Sequence, residues 1–107
     1  MDDDKLFRAL ADASRRRLLD RLHASTGQTL GELCQGMAMS RQAVTKHIAI
    51  LEEANLVSAQ WHGREKRHFI NPVPINSIAR RWIDKFETAH LAALAALKNA
   101  LEGEDHE

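Results

Sequence analysis

The sequence predicts a mainly α-helical chain with one small β-hairpin, in the order helix, helix, helix, helix, strand, strand, helix. Three observations carry this. Clusters of Gly, Pro, Ser, Thr and Asn cut the first half into short segments whose apolar residues recur at helical spacing. Two β-type segments, Leu56–Trp61 and Lys66–Ile70, flank a turn that contains Gly63. The stretch from Ile75 to Leu101 is long, rich in alanine and leucine, and uninterrupted by breakers.

Lys5–Ala11 reads as a short helix, with Leu6, Phe7 and Leu10 at helical spacing. Asp12 is placed as the N-cap of a helix over Ala13–Ala24, which turns Leu18, Leu19 and Leu22 inward. Ser25-Thr26-Gly27 stops it. Thr29 caps a third helix, Leu30–Met37, and Thr29 with Glu32 makes a capping-box pattern. Gly36 to Ser40 forms a turn, and Ser40 caps a fourth helix, Arg41–Ala54, ended by Asn55. The hairpin follows, with His62-Gly63-Arg64-Glu65 as its turn. Asn71-Pro72-Val73-Pro74 closes it off before the last helix. No repeat or linker interrupts this order. A single domain over 1–107 is therefore expected, with 29–54 as a helix-turn-helix, 56–70 as a wing and 75–101 as a dimerisation helix.

Charge distribution says more than net charge, which is formally zero. Residues 2–4 are all acidic, and Glu102, Glu104, Asp105 and Glu107 crowd the other end. All 15 Lys and Arg lie between residues 5 and 101, against the 8 acids left after removing those 7 from 15. The body is basic, which points to a polyanionic partner. A composition 44% hydrophobic and 28% charged is that of a globular domain and excludes a disordered or fibrous chain. One cysteine, Cys34, rules out a disulfide within the chain. No run approaches the ~18–20 apolar residues of a membrane span. A soluble, cytoplasmic protein is expected.

Two helices joined by a tight turn and followed by a hairpin make a winged helix-turn-helix. The first of the pair would support, and the segment 40–54 would be the helix that enters a DNA major groove. At 100° per residue, Ala43, Val44, His47, Ile48, Leu51 and Ala54 fall on one side, the packed face. Gln42, Lys46 and Ala49 fall opposite, flanked by Arg41 and Thr45. An amide, two cations and a hydroxyl suit base edges and phosphates. Glu52 and Glu53 lie further along, away from the insertion end. The expected DNA contacts are Ser40, Arg41, Gln42, Thr45 and Lys46 from this helix, and Arg64, Lys66 and Arg67 from the wing at 62–68, on the backbone or in the minor groove. Arg15 and Arg16 join them, because cations at a helix N-terminus oppose the helix dipole and so are not explained by helix stability.

Leu10-Ala11-Asp12-Ala13-Ser14-Arg15-Arg16-Arg17-Leu18-Leu19 resembles the opening signature of the ArsR-type (ArsR/SmtB-like) winged-helix repressors. Ser40-Arg41-Gln42-Ala43-Val44-Thr45-Lys46-His47-Ile48 resembles their recognition helix, Leu51-Glu52-Glu53-Ala54-Asn55-Leu56-Val57 its exit, and Gly63-Arg64-Glu65-Lys66-Arg67 their wing. Together these pieces cover most of residues 5–74. The resemblance implies a homodimeric repressor that binds an imperfect inverted repeat and is released by an inducing signal. The chain departs from the family's metal sensors. Their Cys-x-Cys pair is broken here, since Gly36 stands where the partner of Cys34 would be. A thiophilic metal needs two or three thiolates. Asp84, Glu87 and His90 do not match the family's other metal pattern, so no metal site and no cofactor are expected. Cys34, beside Leu33 and Met37, reads as a buried core residue.

The last helix carries more apolar surface than one small domain can cover, which implies a second copy packed on it. Leu6, Ile83, Phe86, His90, Leu94, Leu97 and Leu101 are the expected interface. Two recognition helices would then sit about 34 Å apart, one turn of DNA. The function expected is sequence-specific transcriptional regulation. The alternative, a winged-helix protein-interaction module without direct DNA binding, fits a polar, basic helix face less well. No nucleophile–base pair, metal triad or phosphate loop stands at useful spacing, so an enzyme is not expected.

Overall fold

The computed structural model describes residues 3–104; Asp2, Asp105 and Glu107 of the acidic ends lie outside the described residues. The order is α1 (Asp3–Leu10), α2 (Ala13–Ala24), β1 (Gln28–Thr29), α3 (Leu30–Cys34), α4 (Arg41–Glu53), β2 (Val57–His62), β3 (Glu65–Ile70) and α5 (Val73–Glu104). The chain divides into two compact units, Met1–Ile75 and Asn76–Glu107.

In the first unit, local signals set the helix starts. Asp12 adopts extended backbone, and its carboxylate accepts from the N–H groups of Ser14 (2.8 Å) and Arg15 (3.1 Å). The Thr29 hydroxyl accepts from Glu32 N–H, and the Ser40 hydroxyl from Ala43 N–H. The end of α4 is equally local. Asn55 takes a left-handed φ of 62°, Asn55 N–H donates to Glu52, and Leu56 N–H donates to Leu51. That is a Schellman motif, with the fully buried Leu51 and Leu56 as its apolar pair.

The Asp12 cap has a consequence for acid stability. Those backbone donors, that of Arg15 first, hold the carboxyl below its ordinary value of 3.8. A carboxylate with a lowered folded-state pKa stabilises the fold above the ordinary value, and the contribution disappears as pH falls through the lowered one. Asp12→Asn retains a cap without the titration. Its urea midpoint should therefore fall less steeply with acid than that of the wild type; parallel acid profiles would contradict the role.

α3 is shorter than the sequence pattern suggests, ending at Cys34 rather than Met37. Two things stop it. Gly36 takes φ +79°, a left-handed conformation that favours glycine. The guanidinium of Arg21, reaching from α2, collects the carbonyls of Glu32 (2.8 Å), Leu33 (2.7 Å) and Gln35 that a continuing helix would have used.

A two-residue strand, β1, also joins the hairpin. The antiparallel sheet has the order β1-β3-β2, with Gln28 opposite His68 and Val57 through His62 opposite Ile70 through Glu65. The buried Gln28 side chain donates to the carbonyls of Arg21 and Ser25 at the end of α2. Its own carbonyl accepts from Nδ1 of His68, which is 4% exposed and therefore belongs to the core rather than to the charged wing surface. The hairpin turns on Gly63 and Arg64. Gly63 has φ +64° and Arg64 is not left-handed, the pattern of a type II′ turn.

α5 begins two residues earlier than expected. The Asn71 side chain accepts from Val73 N–H, and Pro74 falls in the first turn, where its missing N–H costs no helical bond. Within the second unit this helix is exposed over residues 80–103. Ile83, Phe86, Leu94, Leu97 and Leu101 are half or more exposed, or nearly so. No helix among the described residues is long and apolar enough to cross a membrane.

Candidate nucleic-acid interface

The polarity of α4 governs what it can touch. Val44, Ile48 and Leu51 are buried, and Ala43 and His47 are half-buried. Arg41, Gln42, Thr45, Lys46 and Ala49 are all exposed. Four of these, Arg41, Gln42, Thr45 and Lys46, line a shallow depression on the outer face. The Thr45 hydroxyl donates back to the Arg41 carbonyl at 2.9 Å, which fixes its rotamer. The Ser40 oxygen is spent as acceptor in the cap, so its hydroxyl hydrogen is what it can offer outward.

Beside this helix the wing presents exposed Arg64 and Lys66. Arg67 is differently placed. Its guanidinium donates to the Gly27 carbonyl at 2.9 Å and pairs with Glu65 at 2.8 Å, tying the wing to the loop before β1. A contact with an outside anion would have to compete with both. A cleft of about 630 Å³ separates the wing from α4 and the start of α3.

Arg15 and Arg16 are also engaged internally. Arg15 donates to the carbonyls of Ala9 (2.9 Å) and Arg8 (3.0 Å), and Arg16 to that of Leu10 (2.6 Å). These are the last carbonyls of α1, of which that of Arg8 also accepts from Ala11 N–H. The two cations oppose the dipole of their own helix but complement that of the preceding one, so the premise that helix stability does not explain them is corrected. The second Arg15 amino group lies 3.3 Å from Nδ1 of His47. Because arginine can only donate, Nδ1 is the acceptor in this contact. His47 thus locks α4 to α2.

Of the residues expected at a subunit interface, Leu6 is 1% exposed within the single chain, already spent in its own core. Its neighbour Phe7, 48% exposed, is the apolar side chain that α1 presents outward. On α5, Trp82 and Phe86 lie ring to ring at 5.9 Å, and Lys85 stands 5.2 Å from the Trp82 ring. Cys34 is half-buried rather than enclosed. Among the described residues no group of three or more His, Cys, Asp or Glu side chains is placed to hold a metal ion. Sequence reasoning missed Arg21, Gln28 and Trp61. Arg21 acts through carbonyls of another helix, and Gln28 is placed by its pairing with His68 on β3. The third could have been found, since Trp61 alternates onto the same strand face as Val57 and Ala59.

Residues 10–58 match a helix-turn-helix domain family. The chain is 33% identical over 87 residues to the HTH-type transcriptional regulator YuzN of Bacillus subtilis, covering 76% of this chain and 95% of that one. It is also 33% identical over 102 residues to the HTH-type transcriptional regulator Rv2034 of Mycobacterium tuberculosis, covering 95% of this chain and 92% of the relative. Among solved structures, an ArsR-like transcriptional regulator from Rhodococcus sp. RHA1 superposes with a TM-score of 0.75 at 30% identity, over 94% of this chain and 90% of the other.

Proposed function

Since the chain belongs to the ArsR-type winged helix-turn-helix transcriptional regulators, which bind DNA and are not enzymes, we propose that it acts as a homodimeric cytoplasmic repressor reading an imperfect inverted repeat. The observation that carries the reading mode is the outward strip Arg41, Gln42, Thr45 and Lys46, directly across α4 from the buried Val44, Ile48 and Leu51. In this reading α4 enters the major groove with Gln42 as a base reader and the cations on phosphate or guanine. Ser40 adds a phosphate contact at the helix start, while Arg64 and Lys66 grip the backbone. Arg67, Arg15 and Arg16 contribute mainly by holding the wing and α1 in place. The subunits meet through Phe7 and through Ile83, Phe86, His90, Leu94, Leu97 and Leu101. Repression follows from occupancy: a small dimer lying across a promoter blocks it without needing a further surface.

The test is to select bound duplexes from fragmented genomic DNA and then compare variants on the recovered site. Gln42→Ala should lose about 1–3 kcal/mol of discrimination at the base it reads, with little effect on unrelated DNA. Arg64→Ala should weaken all sequences alike and reduce the salt slope by about one. If both variants keep the wild-type site preference and salt slope, the groove assignment is wrong.

A further inference from the structure

The wing carries an indole that the reading above does not use. Trp61 is 68% exposed. It pairs with Lys66 across the hairpin, and its strand face is the one that buries Val57 and His68 further in. That face therefore runs from the core outward over the cleft, dry at its inner end and bare at its outer end. Trp61 forms part of the cleft wall, with Arg41, Thr45 and Ile48 contributed by α4. A ring this exposed adds little to the core. Nor does keeping the strand edge from pairing require it, because Arg64, Lys66 and Glu65 already charge the wing tip.

The chemistry of the cleft matches one occupant. Arg41, Arg64 and Lys66 supply cations, and Trp61 supplies apolar surface. The backbone of a DNA strand alternates in the same way, phosphate anion with apolar deoxyribose face. Glu65, on the wing side, is already held by Arg67, whereas Glu32 and Glu52 stand on the α3 and α4 side. An anionic strand is thereby directed to the wing side of the cleft, where Trp61 stands. We propose that Trp61 is a DNA-contact residue that packs its ring on a deoxyribose between two phosphates held by the wing cations. This rests on the DNA-binding reading above and adds to it a backbone contact that is apolar and indifferent to sequence.

The experiment uses the full chain and a mixed-sequence duplex of about three helical turns. Trp61→Ala should bind about tenfold more weakly, the scale of one lost aromatic contact to nucleic acid. The slope of log affinity against log salt should stay at the wild-type value, because no charge is removed. Lys66→Ala, in contrast, should lower that slope by about one. Trp61→Phe should stay within about threefold of the wild type, since a ring remains to pack. A fluorescence measurement needs no destabilising variant. Duplex should shield wild-type emission from acrylamide, and the Trp61→Phe protein, left with Trp82, should show no such protection. Trp61→Ala binding within about twofold of wild type, or a wild-type indole equally quenchable at saturating duplex, overturns the inference alone. A wild type that binds no duplex at any salt overturns the DNA-binding reading and this inference with it.

Discussion

Replacing both Leu94 and Leu97 by glutamate should turn the protein into a folded monomer that no longer holds its operator. The two side chains are 49% and 58% exposed within the single chain. They lie three residues apart on one face of α5, so both would meet the same partner surface. Charging them costs the isolated subunit little, because they contribute little to its own burial. In a dimer the four carboxylates would be pressed together out of water, which is prohibitive without partners. Helical content should therefore persist while sedimentation equilibrium shifts to the monomer mass.

The loss of binding follows from geometry. In the proposed dimer each subunit reads one half-site, and the second reads its half at the high effective concentration set by the first. A monomer forfeits that gain, so affinity for the full repeat should fall by about three orders of magnitude, towards the non-specific range. The salt slope should fall too, since half the phosphate contacts are gone. A double variant that remains dimeric would show that α5 is not the interface. A monomer that binds the repeat as tightly as the wild type would show that dimerisation is not what confers affinity.

What the sequence discloses about this fold divides by the range of the interaction. Caps are local, and Asp12, Thr29, Ser40 and Asn55 could all be placed from a few neighbouring residues. The polarity of α4 was equally legible, because helical period alone separates Gln42 and Lys46 from Val44 and Leu51. β1 was not legible. Two residues, Gln28 and Thr29, have no strand pattern of their own and are extended because β3, some 40 residues away, pairs with them. Arg15, Arg16 and Arg67 look like free cations in the sequence. Their carbonyl partners, at Arg8, Ala9, Leu10 and Gly27, become visible only once the chain has turned back on itself. Leu6 and Phe7 show the same limit at the scale of one residue, since the pattern marks both as apolar but not which one faces outward.

Arg21→Met should cost more stability than any other arginine substitution on α2. Its guanidinium donates to three carbonyls, those of Glu32, Leu33 and Gln35, at the end of a helix only five residues long. A helix so short does not hold itself together, and of these three carbonyls only that of Glu32 also accepts a backbone N–H, from Gln35. Charged hydrogen bonds contribute about 1.5–3 kcal/mol each where desolvated, but water can reach this half-buried site and replace part of them. A net loss of about 2–3 kcal/mol is the expected result, a large share of the ~5–15 kcal/mol typical of a domain. Methionine keeps an apolar stem, which separates the lost donors from lost packing. Arg17→Met, exposed on the same helix, is the control and should stay within about 0.5 kcal/mol of the wild type. Urea unfolding reads the difference as a lowered midpoint at constant m. Because α3 packs against α4, the helix proposed to read DNA, the Arg21 variant should also bind its operator less tightly at temperatures well below its melting point. An Arg21→Met protein as stable as the Arg17→Met control would mean that α3 is terminated by Gly36 alone and that the three carbonyls are satisfied by solvent.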